Sequence, residues 1–467
     1  MSVENANLYL ALMATAFDTP DRVLFHLDDG SSMTYGDMDR RSSQFANGLS
    51  GLGLEKGDRL VVQVDKSPDV IALWLGCLRS GVMFVPLNTA YTDTEVAAFM
   101  SDAETEHLVK GPETGGSLTL DFADDQQETQ DIAHAEPADP AAMLFTSGTT
   151  GRSKGAVITH RGLLANARSL AEVWQITSTD HLLHTLPVFH VHGLFVALHP
   201  LMLHGAEITF LSRFTADAVL RHLSRSTVLM GVPTHYTRLL DDERFTAEAA
   251  AHMRLFTSGS APMTTHVHEQ FRRRTGRTIT ERYGMTECGI ITSNSPGSPL
   301  PGTVGTALPN MELRIGEDSI VEVRGPHLFD HYWRRPDATA DSFTEDGWFR
   351  TGDIGTMDSN GVVTLSGRAS DLIISGGYNI YPKEIEQVLD DDPQIAESAV
   401  VGWPDPEWGE TVVAFVVLSD PTTEFVPPDL GQQLARFKHP RIWRVVDELP
   451  RNAMGKVQKT GLRGLAP

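Results

Sequence analysis

The stretch RLVVQVDKSPDVIALWLGCLRSGVMFVPLN, from Arg59 to Asn88, decides the fold class of this chain. RLVVQV and MFVPLN are short apolar runs that predict strands, and SPDVIALWLGCLRSG between them predicts a helix. The following residues repeat the pattern, with a helix expected at Asp93–Ala103 and a strand at His107–Val109. Alternating strands and helices favour parallel strands with helices packed on their faces. The sequence therefore predicts an α/β fold.

Changes in composition along the chain predict its domains. A second α/β region runs to about Pro296, and the polar segment 110–140 before it is expected to be an exposed connection. Short β-like runs follow Gly302 and end near Arg368, and from Asp371 a new pattern of strands and a helix begins. We expect a large amino-terminal domain at 1–369, made of α/β subdomains and a small β subdomain. A small carboxy-terminal α+β domain is expected at 370–467.

The composition narrows the choice of partners. The 467 residues carry a formal net charge of -23, so a nucleic acid or an anionic membrane surface would be repelled. Cys77 and Cys288 stand at unrelated positions, which favours a reducing cytoplasm without a disulfide or zinc framework. The amino terminus lacks the pattern of a signal peptide, and no stretch is long and apolar enough to span a membrane. The expected location is cytoplasmic.

The run TSGTTGRSKG, from Thr146 to Gly155, has the composition of a phosphate-binding loop. Glycine lets the backbone approach an anion, hydroxyl groups donate to phosphate oxygens, and Lys154 adds a positive charge. It differs from a Walker A loop, because Ser153 precedes the lysine and Gly155 follows it. A surface linker has a similar composition, but the apolar AAMLF before the loop favours a strand that leads to a sheet edge. The expected ligand is a nucleoside triphosphate, held by Thr146, Ser147, Gly148, Thr149, Thr150 and Lys154.

Six signatures spread over nearly the whole chain resemble those of the adenylate-forming acyl-CoA synthetases. They are the loop above, LPVFHVHG at 186–193, ERYGMTE at 281–287, TGD at 351–353, GRASDLIISGGYNIYPKEIE at 367–386 and PRNAMGKVQK at 450–459. Within that family, PLNTAYT at 86–92, LMGVPTHYTRLL at 229–240 and HMRLFTSGSAPM at 252–263 are most similar to malonyl-CoA synthetases. The resemblance implies that the small domain is a mobile lid and that the active site lies between the two domains.

The resemblance also implies which residues carry out adenylation. Lys456 would place a positive charge between a carboxylate and the α-phosphate when the lid closes. Glu287 is the expected Mg²⁺ ligand, together with Thr146, since a hard cation shared with phosphate oxygens neutralises the leaving pyrophosphate. Thr286 is expected to assist at the α-phosphate.

Other family positions correspond to the nucleotide and to coenzyme A. Asp353 suits the ribose hydroxyls, and Arg368 can reach ribose or phosphate. Gly376 and Gly377 are expected to line the tunnel for the pantetheine thiol, although a glycine pair also suits a simple turn. Further nucleotide contacts are expected at Gly259, Ser260, Ala261, Tyr283, Gly284 and Met285.

His190 and His192 in FHVHG stand two residues apart, which on a strand would place both rings on one face. No cysteine or carboxylate stands near enough in the sequence to complete a metal site, so we do not expect zinc there. The resemblance implies instead that His190 gates the acyl pocket and the tunnel.

The acyl substrate is predicted from two arginines. A dicarboxylate such as malonate carries a second charge into the pocket, and burial of that charge without a partner would be costly. Arg238 in PTHYTRLL and Arg282 in ERYGMTE lie in the matching motifs and suit bidentate recognition of a carboxylate. For each, a structural salt bridge is the alternative. CGII at 288–291 and Ser370 at the hinge depart from the family pattern, which leaves the tolerance for methylmalonate and the kinetics of the lid open.

The sequence thus predicts an enzyme that joins malonate to coenzyme A through a malonyl-adenylate, using ATP and Mg²⁺ and releasing AMP and pyrophosphate. Its expected partners are these small molecules, without an obligate protein partner. Two alternatives stay open. One is a synthetase for another small acid, such as methylmalonate or an uncharged acid, and the other is an adenylating module that loads a carrier protein.

Overall fold

The computed structural model of the protein describes residues 5–111, 118–129, 131–146, 153–376, 378–452 and 456–464. Its first α/β unit forms as the sequence predicts. The helix Pro68–Ser80 begins where the Ser67 side chain accepts a hydrogen bond from the Val70 amide, and it ends at Gly81, whose φ is 75°. Nearly all of its residues are buried, because it packs between a sheet and the helix before it.

The helices follow the apolar periodicities of the sequence. The described α-helices are α1 (Leu8–Leu12), α2 (Ala14–Asp18), α3 (Tyr35–Gly51), α4 (Pro68–Ser80), α5 (Asp93–Ala103), α6 (His160–Val173), α7 (His199–Leu203), α8 (Ala216–Leu223), α9 (Pro233–Leu240), α10 (Thr265–Thr275), α11 (Pro336–Asp341), α12 (Pro382–Asp390) and α13 (Lys459–Arg463). None of these described helices has the length and apolar character that crossing a membrane requires.

The strands fall at the apolar runs between the helices. The described strands are β1 (Val23–Leu27), β2 (Ser32–Thr34), β3 (Arg59–Gln63), β4 (Met83–Pro86), β5 (Leu108–Lys110), β6 (Pro140–Thr146), β7 (Lys154–Thr159), β8 (His181–His184), β9 (Glu207–Phe210), β10 (Val228–Gly231), β11 (Leu255–Ser258), β12 (Ile279–Met285), β13 (Gly289–Ser293), β14 (Thr306–Ala307), β15 (Glu312–Ile315), β16 (Ile320–Arg324), β17 (His331–Tyr332), β18 (Phe349–Met357), β19 (Val363–Arg368), β20 (Ile373–Ser375), β21 (Tyr378–Ile380), β22 (Ile395–Asp405), β23 (Gly409–Leu418) and β24 (Ile442–Val445).

These strands form four sheets in the described part of the chain. A nine-stranded sheet has the order β14-β13-β12-β11-β10-β8-β9-β1-β2, with parallel pairing from β12 to β1 and antiparallel strands at both edges. A six-stranded sheet has the order β17-β7-β6-β4-β3-β5. The predicted small β subdomain is the antiparallel sheet β15-β16-β18-β19. The α/β fold with a small β subdomain is therefore confirmed.

The carboxy-terminal residues form a separate small α+β unit, as predicted. Its five-stranded sheet contains β20 to β24, and α12 packs on β22. Its hydrophobic clusters draw on residues from Ile373 onward, whereas those of the large unit include no residue beyond Leu365. A short helical turn at Ala369–Asp371, which contains the exposed Ser370, links the two units. The exact boundary between 369 and 370 stays a prediction.

Candidate active site

The candidate site begins where parallel strands of the nine-stranded sheet end. β8, β10 and β11 are parallel neighbours, so their carboxyl ends meet at one edge of the sheet. Loops after such ends are the usual place for a ligand in an α/β sheet. The loop after β8 contains His190, and the loop after β11 begins with Gly259 and Ser260. The structure thus brings together motifs that lie about 70 residues apart in the sequence.

Asp353 lies at the centre of a small polar cluster. It is 6% exposed and stands directly opposite Arg368 in the β18–β19 pair. Arg368 Nε lies 2.9 Å from Asp353 Oδ1, and the Tyr283 hydroxyl donates to Oδ2 at 2.5 Å. The charge of Asp353 raises the pKa of Arg368, and burial followed by the same carboxylate raises the pKa of Tyr283. Asp353 therefore contacts two other residues that are predicted to bind the nucleotide.

Lys456 of the small unit lies beside this cluster. Arg368, Asp353 and Asp371 all act on its charge, although the lysine belongs to the other hydrophobic unit. Its backbone is held by Asn452, whose Oδ1 accepts from the Lys456 amide at 3.0 Å. Desolvation lowers the pKa of Lys456, and the like charge of Arg368 lowers it further. The structure thus places the charge of Lys456, an exposed residue, within electrostatic range of the predicted nucleotide residues.

Glu287 is the buried carboxylate of the site. It is 5% exposed, accepts a hydrogen bond from the Tyr332 hydroxyl at 2.8 Å and contacts the Thr146 hydroxyl. Burial raises its pKa despite these partners, which means that its negative charge is incompletely compensated. Thr146 and Glu287, the two residues predicted to hold Mg²⁺, therefore lie side by side.

The strand pairing explains how the phosphate loop reaches Glu287. Thr146 and Lys154 face each other at the ends of β6 and β7, which form an antiparallel pair. β17 pairs with β7, and this pairing sets Tyr332 beside Lys154, whose Nζ lies 5.0 Å from the centroid of the tyrosine ring. Sequence reasoning missed Tyr332, because no motif signals an aromatic residue that arrives from a distant edge strand. The predicted phosphate ligands Ser147, Gly148, Thr149 and Thr150 lie outside the described residues.

The hairpin between β12 and β13 carries Thr286 and Glu287. A Cβ on Gly284 would run into the carbonyl oxygen of Gly289 on the paired strand, so this tight hairpin requires glycine there. The Cys288 amide donates to the Met285 carbonyl at 3.1 Å and closes the turn. Thr286 lies half-buried in this turn, beside a small cavity lined also by Val191. Gly284 and Met285 thus have structural roles in the hairpin, and their contacts with a nucleotide stay a prediction.

Arg282 is the least expected feature of the site. It is 5% exposed, and its Nε and Nη2 atoms have no hydrogen-bond partner among the described residues. The carboxylate next to it in sequence, Glu281, is already engaged by His268 at 2.9 Å. Burial lowers the pKa of Arg282 to about 9. The sequence left a structural salt bridge as the alternative to recognition of a substrate carboxylate by Arg282. No such salt bridge of Arg282 forms within the described chain.

The loop after β11 packs directly on Arg282. A Cβ on Gly259 would lie 2.5 Å from Cζ of Arg282, so only glycine allows the guanidinium to lie under this loop. Ser260 follows with a φ of 69°, a left-handed conformation that is uncommon without glycine, and Ala261 comes next, half-buried. The Ser260 hydroxyl lies 3.4 Å from His192 Nδ1. This loop, which is predicted to contact the nucleotide, therefore also covers the guanidinium of Arg282.

The two histidines of FHVHG do not lie on a strand, which corrects the sequence-based interpretation. His190 lies in a bend, and His192 begins a π-helical turn at His192–Val196. The reason is Gly193, where a Cβ would collide with the carbonyl oxygen of Pro187, so the chain turns back on itself instead of extending. Burial, with the nearby charge of Arg282, lowers the pKa of His190 to about 4. Within the described chain, neither histidine belongs to a group of three possible metal ligands.

Arg238 and Gly376 lie outside the cluster formed around Asp353, Glu287 and Arg282. Arg238 is exposed in the last turn of α9, and its charge acts on His235, which in turn acts on His192 beside Arg282. Gly376 has a φ of 58° in the β20–β21 turn, and a Cβ there would press on Trp408. The structure thus gives Gly376 a turn role, and its part in a thiol tunnel stays a prediction. Gly377 lies outside the described residues.

Two family models match the large and the small unit of the chain. Residues 12–333 match the family described as AMP-binding enzyme, and residues 384–456 match the AMP-binding enzyme C-terminal domain. The chain belongs to the AMP-binding enzyme family. Like other members of this adenylate-forming superfamily, it ligates an acid to coenzyme A with ATP through an adenylate intermediate.

Two relatives of this AMP-binding enzyme are named for small acids. The chain is 33% identical to a malonate–CoA ligase of Arabidopsis thaliana, with 98% of this chain and 88% of the relative covered. A sulfoacetate–CoA ligase of Cupriavidus necator is 30% identical, with 97% and 96% covered.

The ATP-bound crystal structure of MatB from Rhodopseudomonas palustris is 41% identical, covers 99% of both chains and superposes with a TM-score of 0.94. Its apo structure, at 40% identity and the same coverage, gives 0.84. The structure as a whole therefore resembles the ATP-bound relative more closely than the apo one. This agrees with the place of Lys456 beside Asp353 and Arg368.

Proposed function

We propose that this acid–CoA ligase is specific for malonate, which it converts with ATP and coenzyme A to malonyl-CoA, AMP and pyrophosphate. The proposal rests on the buried guanidinium of Arg282, which has no anionic partner among the described residues. A substrate with a second carboxylate would supply that partner.

The energetics favour an anionic ligand at this place. A buried charge without a counter-ion costs several kcal/mol, so a protein keeps one only when a bound group compensates it. The neighbouring rings of His190 and His192 have lowered pKa values and stay neutral near pH 7, which leaves Arg282 as the positive charge of the pocket. A guanidinium offers parallel donors that match a carboxylate, and Nε and Nη2 are the two donors left open here.

Arg238 is proposed as a secondary contributor. It lies at the exposed end of α9 and acts on His235, between the protein surface and the Arg282 pocket. In that place it would attract the dianion and guide it inward, an effect that falls with ionic strength.

The adenylation step is assigned to residues from both units. Lys456 would balance the negative charge that gathers between the carboxylate of malonate and the α-phosphate, with Thr286 beside it. Asp353 would accept the ribose hydroxyls, with its carboxylate held in place by Arg368 and Tyr283. Gly259, Ser260 and Ala261 would face the adenine, and Thr146 and Lys154 the phosphates.

Mg²⁺ fits the donor set at Glu287. The buried carboxylate has a raised pKa and lies beside the Thr146 hydroxyl, so a hard cation would supply the missing compensation. The ion would be held by Glu287 and Thr146 and would neutralise the charge on the phosphates.

The thioester step would follow a rotation of the lid about Ser370, the proposed hinge between residues 1–369 and 370–467. Lys456 would then leave the site, and Gly376 and Gly377 would approach to line the thiol path, with His190 as the gate. Ala369 and Ser370 are exposed, Asp371 is half-buried, and none of the three belongs to a hydrophobic cluster of either unit, which suits a hinge.

A second candidate is another small acid with a negatively charged tail, such as sulfoacetate or methylmalonate. The same open guanidinium would bind a sulfonate, and a relative at 30% identity is a sulfoacetate–CoA ligase.

The test is AMP release in the presence of ATP, Mg²⁺ and coenzyme A with acetate, propionate, malonate, methylmalonate, succinate and sulfoacetate. We expect malonate to give a kcat/KM at least tenfold above every other acid, because its distal carboxylate would pair with the guanidinium of Arg282. Equal or faster turnover of acetate or propionate would refute the proposal, and a preference for sulfoacetate or methylmalonate would favour the second candidate.

A further inference from the structure

A cluster of two histidines and one glutamate lies on the nine-stranded sheet, apart from the candidate active site. His181 is the first residue of β8 and stands directly opposite Glu207, the first residue of β9. On the other side of β9, His26 of β1 stands opposite Thr209. Side chains two residues apart on a strand share a face, so Glu207 and Thr209 project together. The pairing of three parallel strands therefore brings His26, His181 and Glu207 to one face.

The three side chains converge on a common point. One ligand atom from each, a ring nitrogen from each histidine and a carboxylate oxygen, all lie within 4.8 Å of one another. His26 Nε2 is 2.7 Å from Glu207 Oε2, and His181 Nδ1 is 3.9 Å from the same oxygen. Ligands of a tetrahedral zinc ion, about 2.0–2.1 Å from the metal, are about 3.3 Å apart. The two observed separations lie on either side of that value, so small rotations of the rings would complete the geometry.

A neighbouring hydroxyl already orients one of the rings. His181 Nε2 lies 2.7 Å from the Thr209 hydroxyl, and Thr209 is fully buried. When Nε2–H donates to that oxygen, Nδ1 keeps its lone pair and faces Glu207. Hydrogen bonds from the second ring nitrogen are the usual support of a metal-bound histidine. The cluster thus has a supporting contact as well as three ligands.

The site is accessible and chemically selective. The side chains of His181, His26 and Glu207 are 13%, 28% and 37% exposed, so an ion can enter from solvent. Two imidazoles with one carboxylate favour zinc-like ions over Mg²⁺ or Ca²⁺, which prefer more oxygen ligands.

We propose that His26, His181 and Glu207 form a binding site for a divalent transition metal, with Zn²⁺ as the ion of best fit. The site lies at the amino ends of β8 and β9, opposite the carboxyl ends that carry the candidate active site. The ion would replace the proton between His26 and Glu207 and would connect β1, β8 and β9. It would hold these strands together through three protein ligands, and water would occupy the open fourth position.

The test is metal binding by the full-length, chelator-treated and desalted enzyme. Titration with ZnCl₂ alone, followed by calorimetry, should show one tight equivalent, and Co²⁺ should give the visible absorption of tetrahedral coordination. Zn²⁺ should raise the thermal midpoint by about 3 °C or more. The variants His181→Gln and Glu207→Gln should each lose affinity at least about tenfold, as expected for the loss of one ligand.

His134→Gln is the matched control. His134 also pairs with a glutamate, Glu136, at 3.2 Å, but it belongs to no group of three possible ligands within the described chain. This variant should bind Zn²⁺ like the wild type. Wild-type affinity in His181→Gln and Glu207→Gln, or a Co²⁺ spectrum without tetrahedral bands, would overturn the proposal. Melting curves without metal establish that each variant is folded, and either of the two ligand variants suffices for the conclusion.

Discussion

Replacement of Arg282 by methionine should make the enzyme more stable and much less active on malonate. The side chain of methionine fills a similar elongated space without a charge, so the packing under Gly259 is retained. In the free enzyme the guanidinium is 5% exposed with Nε and Nη2 unpaired. An unsatisfied buried donor costs about 1–3 kcal/mol, and the substitution removes that cost. The free energy of unfolding should therefore rise by about 1–3 kcal/mol.

The effect on catalysis has the opposite sign. Removal of one partner from a buried charge pair costs about 3–5 kcal/mol, and each 1.36 kcal/mol is a factor of ten. The kcat/KM for malonate should fall by about a hundredfold to several thousandfold. Acetate carries no second carboxylate, so its low rate should stay within about threefold of the wild type.

Two assays decide between this account and a simple packing defect. AMP release with malonate and with acetate gives the change in kcat/KM, and thermal unfolding without substrate gives the stability. A misfolded or loosened site would lower both activities and the melting temperature together. Such a parallel loss, or a fully active variant, would refute the assignment of Arg282.

Two further predictions concern Lys456 and Glu287 in the candidate site. Lys456→Ala should abolish malonate-dependent exchange of pyrophosphate into ATP yet spare thioester formation from supplied malonyl-AMP; equal loss of both half-reactions would contradict the two poses of the lid. Glu287→Gln keeps an acceptor for the Tyr332 hydroxyl but removes the negative charge of the carboxylate. The exchange of pyrophosphate into ATP should fall at least about a hundredfold, and its saturation with Mg²⁺ should be lost. An unchanged dependence of the exchange on Mg²⁺ would exclude Glu287 as a ligand.

Burial raises the pKa of Asp390 to about 6, so its charged form destabilises the lid above pH 6 and the destabilisation fades as the pH falls toward 4. Asp390→Asn should therefore raise the melting temperature at pH 8 but not at pH 4, and the exposed Asp391→Asn should change neither.

The sequence predicts most of the elements and the order of the motifs, because apolar periodicity and turn residues act locally. The helix Pro68–Ser80 and the strand Pro140–Thr146 form where the pattern indicates. The turn at FHVHG could not be predicted, because the close approach of Gly193 to Pro187 decides its conformation and leaves no mark in the periodicity.

Contacts between distant segments could not be predicted in the same way. The resemblance to a family implied roles for Arg282 and Glu287. It did not imply that the buried guanidinium of Arg282 lacks a hydrogen-bond partner at Nε and Nη2 among the described residues, or that the Tyr332 hydroxyl donates to Glu287. The cluster of His26, His181 and Glu207 depends on strand order in a nine-stranded sheet, and no local spacing encodes that order.

The most direct test of malonate specificity compares malonate with malonamate, its monoamide, in the wild type and in Arg282→Met. The two acids have nearly the same shape and differ in the charge of the distal group, so their ratio isolates the interaction with the guanidinium. The account predicts a kcat/KM ratio of about one hundred or more for the wild type and a ratio near one for the variant, since removal of Arg282 removes the charged partner. A wild-type ratio near one, or a ratio that the substitution leaves unchanged, would contradict it.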